Sequence, residues 1–127
     1  MDERHQLLVV APTGDVAEAL VAQLASEHCL TVVTSFEAAK AHLQKGPHLL
    51  ITEVKLGEYN GLQLALRVRA SDTPAIVIGN DDAVLEREAR QLGATYVNGV
   101  WSEGRMRALV SRLLDLRTAT ARSRPPH

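Results

Sequence analysis

Two kinds of apolar pattern alternate along the chain. Residues 7–10, 30–33, 49–51, 75–78 and 95–98 are short runs, mostly apolar and too brief for helices. Runs without polar alternation are what strands covered on both faces of a parallel sheet look like. Between them, apolar residues recur at helical spacing. The sets are Val16, Leu20 and Leu24; Phe36, Ala39 and Leu43; Leu62, Leu64, Leu66 and Val68; Val84, Leu85, Ala89 and Leu92; and Met106, Leu109, Val110, Leu113 and Leu114.

Helix punctuation supports the same parse. Thr13 or Asp15 can cap the first helix, Ser35 precedes the second, and Gly46-Pro47 stops it. The third starts near Gly61 and ends before Pro74. Asp81-Asp82 open the fourth, Gly93 closes it, and Ser102 starts the last. Five strand–helix alternations with short connections predict a doubly wound parallel α/β sheet with helices on both faces. The periodicity stops at Arg117. Residues 1–117 are therefore expected to form one domain, and 118–127, rich in Ser, Thr, Ala, Arg and Pro, a linker or disordered tail.

Composition narrows the function classes. A chain of 127 residues with a net charge of −1 gives no electrostatic case for nucleic acid or membrane binding. No run reaches the roughly 20 apolar residues of a membrane span. Cys29 is the single cysteine, so no internal disulfide forms, and a cytoplasmic location is expected. His5, His28, His42, His48 and His127 are scattered without ligand spacing, and surface or strand-edge positions are expected for them. No Gly-rich phosphate loop, zinc spacing or nucleophile–base pair occurs. The expectation is a non-enzyme with no metal and no cofactor.

The informative stretch is residues 48–61, an apolar strand ending in Glu53, followed by the turn formers Gly57, Asn60 and Gly61. It resembles the phosphoacceptor strand and loop of response-regulator receiver domains. Pro74 before the fourth strand and Gly93-Ala94 before the fifth extend the resemblance over residues 6–117. It implies a flavodoxin-like sheet of order 2-1-3-4-5, with a crevice at the carboxyl edge.

In that family an acidic pair after the first strand holds Mg²⁺, and an Asp after the third accepts a phosphoryl group. A hydroxyl after the fourth strand and a Lys after the fifth assist. Carried over residue by residue, the acidic pair falls on Ala11 and Pro12 and the phosphoacceptor on Glu53. The hydroxyl position falls on Gly79, followed by Asn80. The Lys falls on Gly99 or Val100. With Gly99 in the Lys place, Tyr96 takes the position of the family's switching ring and Trp101 follows; in the other register Val97 stands there.

A crevice so depleted cannot neutralise an incoming phosphoryl group, and the extra methylene of Glu53 displaces its oxygen. The resemblance thus implies a degenerate receiver of two-component signalling or transcription control, independent of phosphorylation. It would work by binding a protein partner or a fused output domain. Tyr96, Trp101, Arg105, Arg107 and Arg112 are the candidate interface, for a partner or a homodimer, through the last strand and the helices beside it. Glu53 keeps three readings: a hydrogen-bonded loop acid, a fixed charge imitating a phosphorylated Asp, or a ligand-binding acid. Two alternatives for the whole chain stand beside the receiver reading. One is a regulatory domain binding a small molecule or anion in the crevice; the other is a receiver phosphorylated at a different acid.

Overall fold

The computed structural model describes residues 4–99 and 103–123, with the side chains of the last helix described from Gly104 to Leu116. The elements in order are β1 (Gln6–Val10), α1 (Gly14–Leu24), β2 (Cys29–Val33), α2 (Phe36–Leu43) and β3 (Leu49–Glu53). There follow β4 (Lys55–Leu56), β5 (Tyr59–Asn60), α3 (Gly61–Arg69), β6 (Ala75–Gly79), α4 (Ala83–Gln91), β7 (Thr95–Asn98) and α5 (Glu103–Ser123). Five strands form one parallel sheet of order β2-β1-β3-β6-β7. Counted without the small β4–β5 hairpin, this is the expected 2-1-3-4-5 order.

Alternation along each strand divides the core into two layers. On one face Leu8, Val10, Leu50 and Val77 meet α2, α3 and α4 through Ala39, Leu64, Val68 and Ala89. On the other, Leu7, Val9, Ile51 and Ile76 meet α1 and α5 through Leu20, Leu24, Met106 and Val110. The central strands are covered on both sides, which is why their sequences are apolar without alternation.

Three local features depart from the sequence expectation. The β4–β5 hairpin pairs Lys55 with Asn60 and Leu56 with Tyr59 around a two-residue turn. Strands of two residues are too short to give a periodic signal. Thr13 occupies the cap position of α1 but makes no side-chain cap bond, and Asp15 lies in the first turn instead of capping. Finally, α5 passes Arg117 and runs to Ser123. Residues 118–123 contain no Gly or Pro and include Ala119, Ala121 and Arg122, so good helix formers propagate the helix after its apolar stripe has ended.

The turn into α3 is held against the end of β3. Asn60 caps α3 by accepting the Leu62 N–H at 2.7 Å, and Gln63 returns the contact by accepting the Asn60 N–H at 3.0 Å. Gly61 donates its N–H to the Val54 carbonyl at 2.8 Å. A Cβ there would overlap the Glu53 carbonyl and press on Thr52, so the close return of the chain requires glycine.

Candidate functional site at the carboxyl edge

The strand ends bring Ala11, Glu53, Gly79-Asn80 and Gly99 to the carboxyl edge of the sheet. Ala11 is buried, 1 % exposed, and donates its N–H to the Val33 carbonyl at 2.9 Å. Its methyl belongs to the core layer beneath α1 and α5. Pro12 is exposed. Neither residue offers the crevice a carboxylate.

Glu53 is half-buried, and its Oε2 accepts the backbone N–H of Thr13 at 2.8 Å. Thr13 is the cap residue of α1. The carboxylate therefore sits at the positive end of that helix, where an amide would otherwise lack a partner. The extra methylene lets Glu53 bridge from β3 to the first loop. Sequence reasoning did not identify Thr13 as its partner, although the strand order, with β1 beside β3, makes the two loops neighbours.

On the far side of the crevice, Tyr96 and Gly79 fit one another. Tyr96 is half-buried; its ring packs with the α2–α3–α4 layer, and its hydroxyl donates to the Asn80 carbonyl. A Cβ on Gly79 would overlap that hydroxyl and press on Val54. The missing side chain is thus what admits the ring. Burial raises the Tyr96 pKa, and the carboxylates of Asp82, Glu86 and Asp81 raise it further.

Tyr96 pairs with Val77, while Val97 is fully buried in the opposite layer. Tyr96 thus lies on the face of Gly79 and Val97 on the opposite one. Gly99 follows, exposed, and donates its N–H to the Gly79 carbonyl at 2.9 Å.

Solved structures give this arrangement a family setting. A response regulator from Chloroflexus aurantiacus J-10-fl is 25% identical, with 89% of this chain and 99% of that chain covered at a TM-score of 0.81. A signal receiver domain of a LuxO repressor protein from Vibrio parahaemolyticus is 16% identical, covering 97% of this chain and 99% of that chain at 0.83. NtrX from Brucella abortus, in complex with ADP, is 17% identical; the match covers 98% of this chain but 31% of that one, at 0.85. This chain has the receiver-domain fold. No family model matches the sequence, and no curated protein does.

Receivers that transfer phosphoryl groups use Mg²⁺, and the residues of this receiver fold do not fit that ion. Ala11 and Pro12 carry no oxygen ligands on their side chains, and an oxygen of Glu53 is engaged by an amide. Among the described residues, no group of three His, Cys, Asp or Glu side chains is arranged to hold a metal. Mg²⁺ demands near-octahedral oxygen ligands, and a single carboxylate already bonded to an amide is a poor site for it.

Of the candidate interface arginines, Arg107 does not share a surface with Arg105 and Arg112. Arg105 and Arg112 are exposed and line a shallow cleft of about 270 Å³ on α5 with Ala108 and Leu109. Arg107 points elsewhere, because two helical positions turn a side chain by roughly 200°. It meets Glu27 in the α1–β2 turn at 3.5 Å. Val100 and Trp101 lie outside the described residues. Within them, no helix is long and apolar enough to cross a membrane.

Proposed function

We propose that this chain is a phosphorylation-independent receiver domain, a cytoplasmic non-enzymatic module that signals by docking another protein or a fused output domain. The observation that carries this reading is that internal groups take both sides of the crevice. Glu53 is bonded to the Thr13 N–H, and Tyr96 occupies the space over Gly79. Phosphoryl transfer works by positioning and charge neutralisation, so it needs a metal, an acceptor with a lone pair to spare, and a cation near the leaving charge. The described crevice residues supply one carboxylate and the Asn80 amide.

In this reading Glu53 is an internal anion that fixes the first loop, and the docking surface lies outside the crevice. Arg105 and Arg112, exposed on α5, are the described residues best suited to a partner.

Intact-mass measurement after incubation with a small acyl phosphate and Mg²⁺ tests it. An unmodified chain is expected, under conditions that fully modify a working receiver. A stoichiometric phosphoryl adduct on Glu53 or any other acid would refute the proposal.

A further inference from the structure

Three histidines gather at the amino edge of the sheet, opposite the crevice. His5, His28 and His48 immediately precede β1, β2 and β3, and the order β2-β1-β3 makes these strand starts neighbours. The His5 ring stands edge-on to His48 at a centroid distance of 5.2 Å and lies 5.9 Å from His28. His48 grips Gln6 twice. Its backbone N–H donates to the Gln6 carbonyl at 2.8 Å, and its Nδ1 accepts the Gln6 N–H at 2.8 Å. On the other flank, Cys29 donates its N–H to the His5 carbonyl at 2.9 Å.

The first rung between β1 and β3 therefore closes through an imidazole nitrogen where a sheet normally uses a carbonyl. A nitrogen that accepts from an N–H carries no proton, so the neutral ring of His48 keeps its hydrogen on Nε2. A further proton can add only at Nδ1. It would turn the acceptor into a donor facing the Gln6 N–H, and the bond would be lost. Protonation of His5 or His28 would add like charge across the ring contacts.

His28 already resists its charge. Burial lowers its pKa, and His5 and Arg4 lower it further against the opposing pull of Glu27. Its Nδ1 is buried with no hydrogen-bond partner among the described residues. The charged and titratable groups set against His28 are Arg4 and His5 before β1 and Glu27 in the α1–β2 turn. Beyond them stands Arg107 of α5, which shares Glu27.

We propose that this imidazole cluster is a pH-sensitive latch on the amino edge of the sheet, closed while His48 is neutral and opened by its protonation. Opening frees the Gln6 N–H at the start of β1, while the His48 N–H stays on the Gln6 carbonyl and the core strands stay paired. The latch is independent of the crevice and of the docking role proposed above.

Amide hydrogen exchange in the whole chain, corrected for intrinsic rates, tests it between about pH 7.5 and about pH 5. Protection at Gln6 is expected to fall roughly tenfold on acidification, the size of one lost hydrogen bond, while Ile51 in the core stays protected. His48→Asn should hold its Gln6 protection at both pH values, because Oδ1 takes the place of Nδ1 as acceptor and does not titrate. Nitrogen NMR of the wild-type ring gives a reading that needs no variant. Nδ1 should be unprotonated at neutral pH and gain its proton as Gln6 protection is lost. Constant protection in the wild type, an equal loss in His48→Asn, or a neutral ring carrying its hydrogen on Nδ1 would each overturn the proposal.

Discussion

The carboxylate of Glu53 reaches across the carboxyl edge to accept the backbone N–H of Thr13 at 2.8 Å. One bond therefore ties the end of β3 to the head of α1, joining elements that the sheet order makes neighbours but the sequence keeps 40 residues apart. A phosphoacceptor must present its oxygen to a donor molecule. Here the oxygen is part of the fold.

The length of that side chain is expected to matter more than its charge. Glu53→Gln keeps an acceptor within reach of Thr13 and loses only the charge at the helix terminus, a cost of about 0.3–1 kcal/mol. Glu53→Asp is one methylene too short. It and Glu53→Ala should each cost about 1–2 kcal/mol. Urea unfolding of the three variants gives the ranking, and an Asp variant as stable as wild type would contradict it.

Gly79 and Tyr96 should behave as a coupled pair. Gly79→Ser puts a Cβ where the Tyr96 hydroxyl lies. The ring must then leave its place over the strand end, at a cost of about 1–3 kcal/mol. Tyr96→Ala alone removes ring packing, but in that background Gly79→Ser should cost much less. A double-mutant cycle measures the coupling, and additive effects would mean that the two residues do not share the space.

Titration of Tyr96 should erode stability on the alkaline side. Its folded pKa is raised, chiefly by burial. The fold thus favours the neutral phenol, and the contribution is present below the unfolded value of about 10 and lost as pH rises through the folded one. Tyr96→Phe, which cannot ionise and forfeits the bond to Asn80, should be less stable at neutral pH and flatter above it.

His28 gives the opposite slope. Its folded pKa is lowered, first by burial and then by His5 and Arg4, with Glu27 acting against them. Its contribution is present above the unfolded pKa of about 6.5 and is lost as pH falls through the folded value. Thermal unfolding from neutral to mildly acidic pH should show His28→Gln losing less stability than wild type.

The fold was legible because the sheet strands are mostly apolar runs and every helix carries a stripe with recognisable punctuation. Asp82 illustrates this: it caps α4 by accepting the Val84 and Leu85 N–H groups at 3.0 and 3.1 Å. Features that pattern cannot reach were those needing tertiary knowledge. The partner of Glu53 is a backbone amide, which no residue type announces. Which of Tyr96 and Val97 faces Gly79 is a one-residue choice along the strand, and burial of Val97 in the opposite layer shows that it is Tyr96. The histidines looked scattered because they are distant in sequence. Each precedes a strand, and the strand order was needed to see that they meet. The extension of α5 to Ser123 was missed because propensity, not periodicity, carries it.

We propose that this receiver fold does not take up a phosphoryl group. Amide NMR during titration with beryllofluoride and Mg²⁺ is the most direct test. The resonances of Thr13, Glu53, Gly79 and Tyr96 are expected to stay in place at concentrations that saturate a working receiver. Saturable, Mg²⁺-dependent shifts centred on Glu53, with the Thr13 amide released, would contradict it.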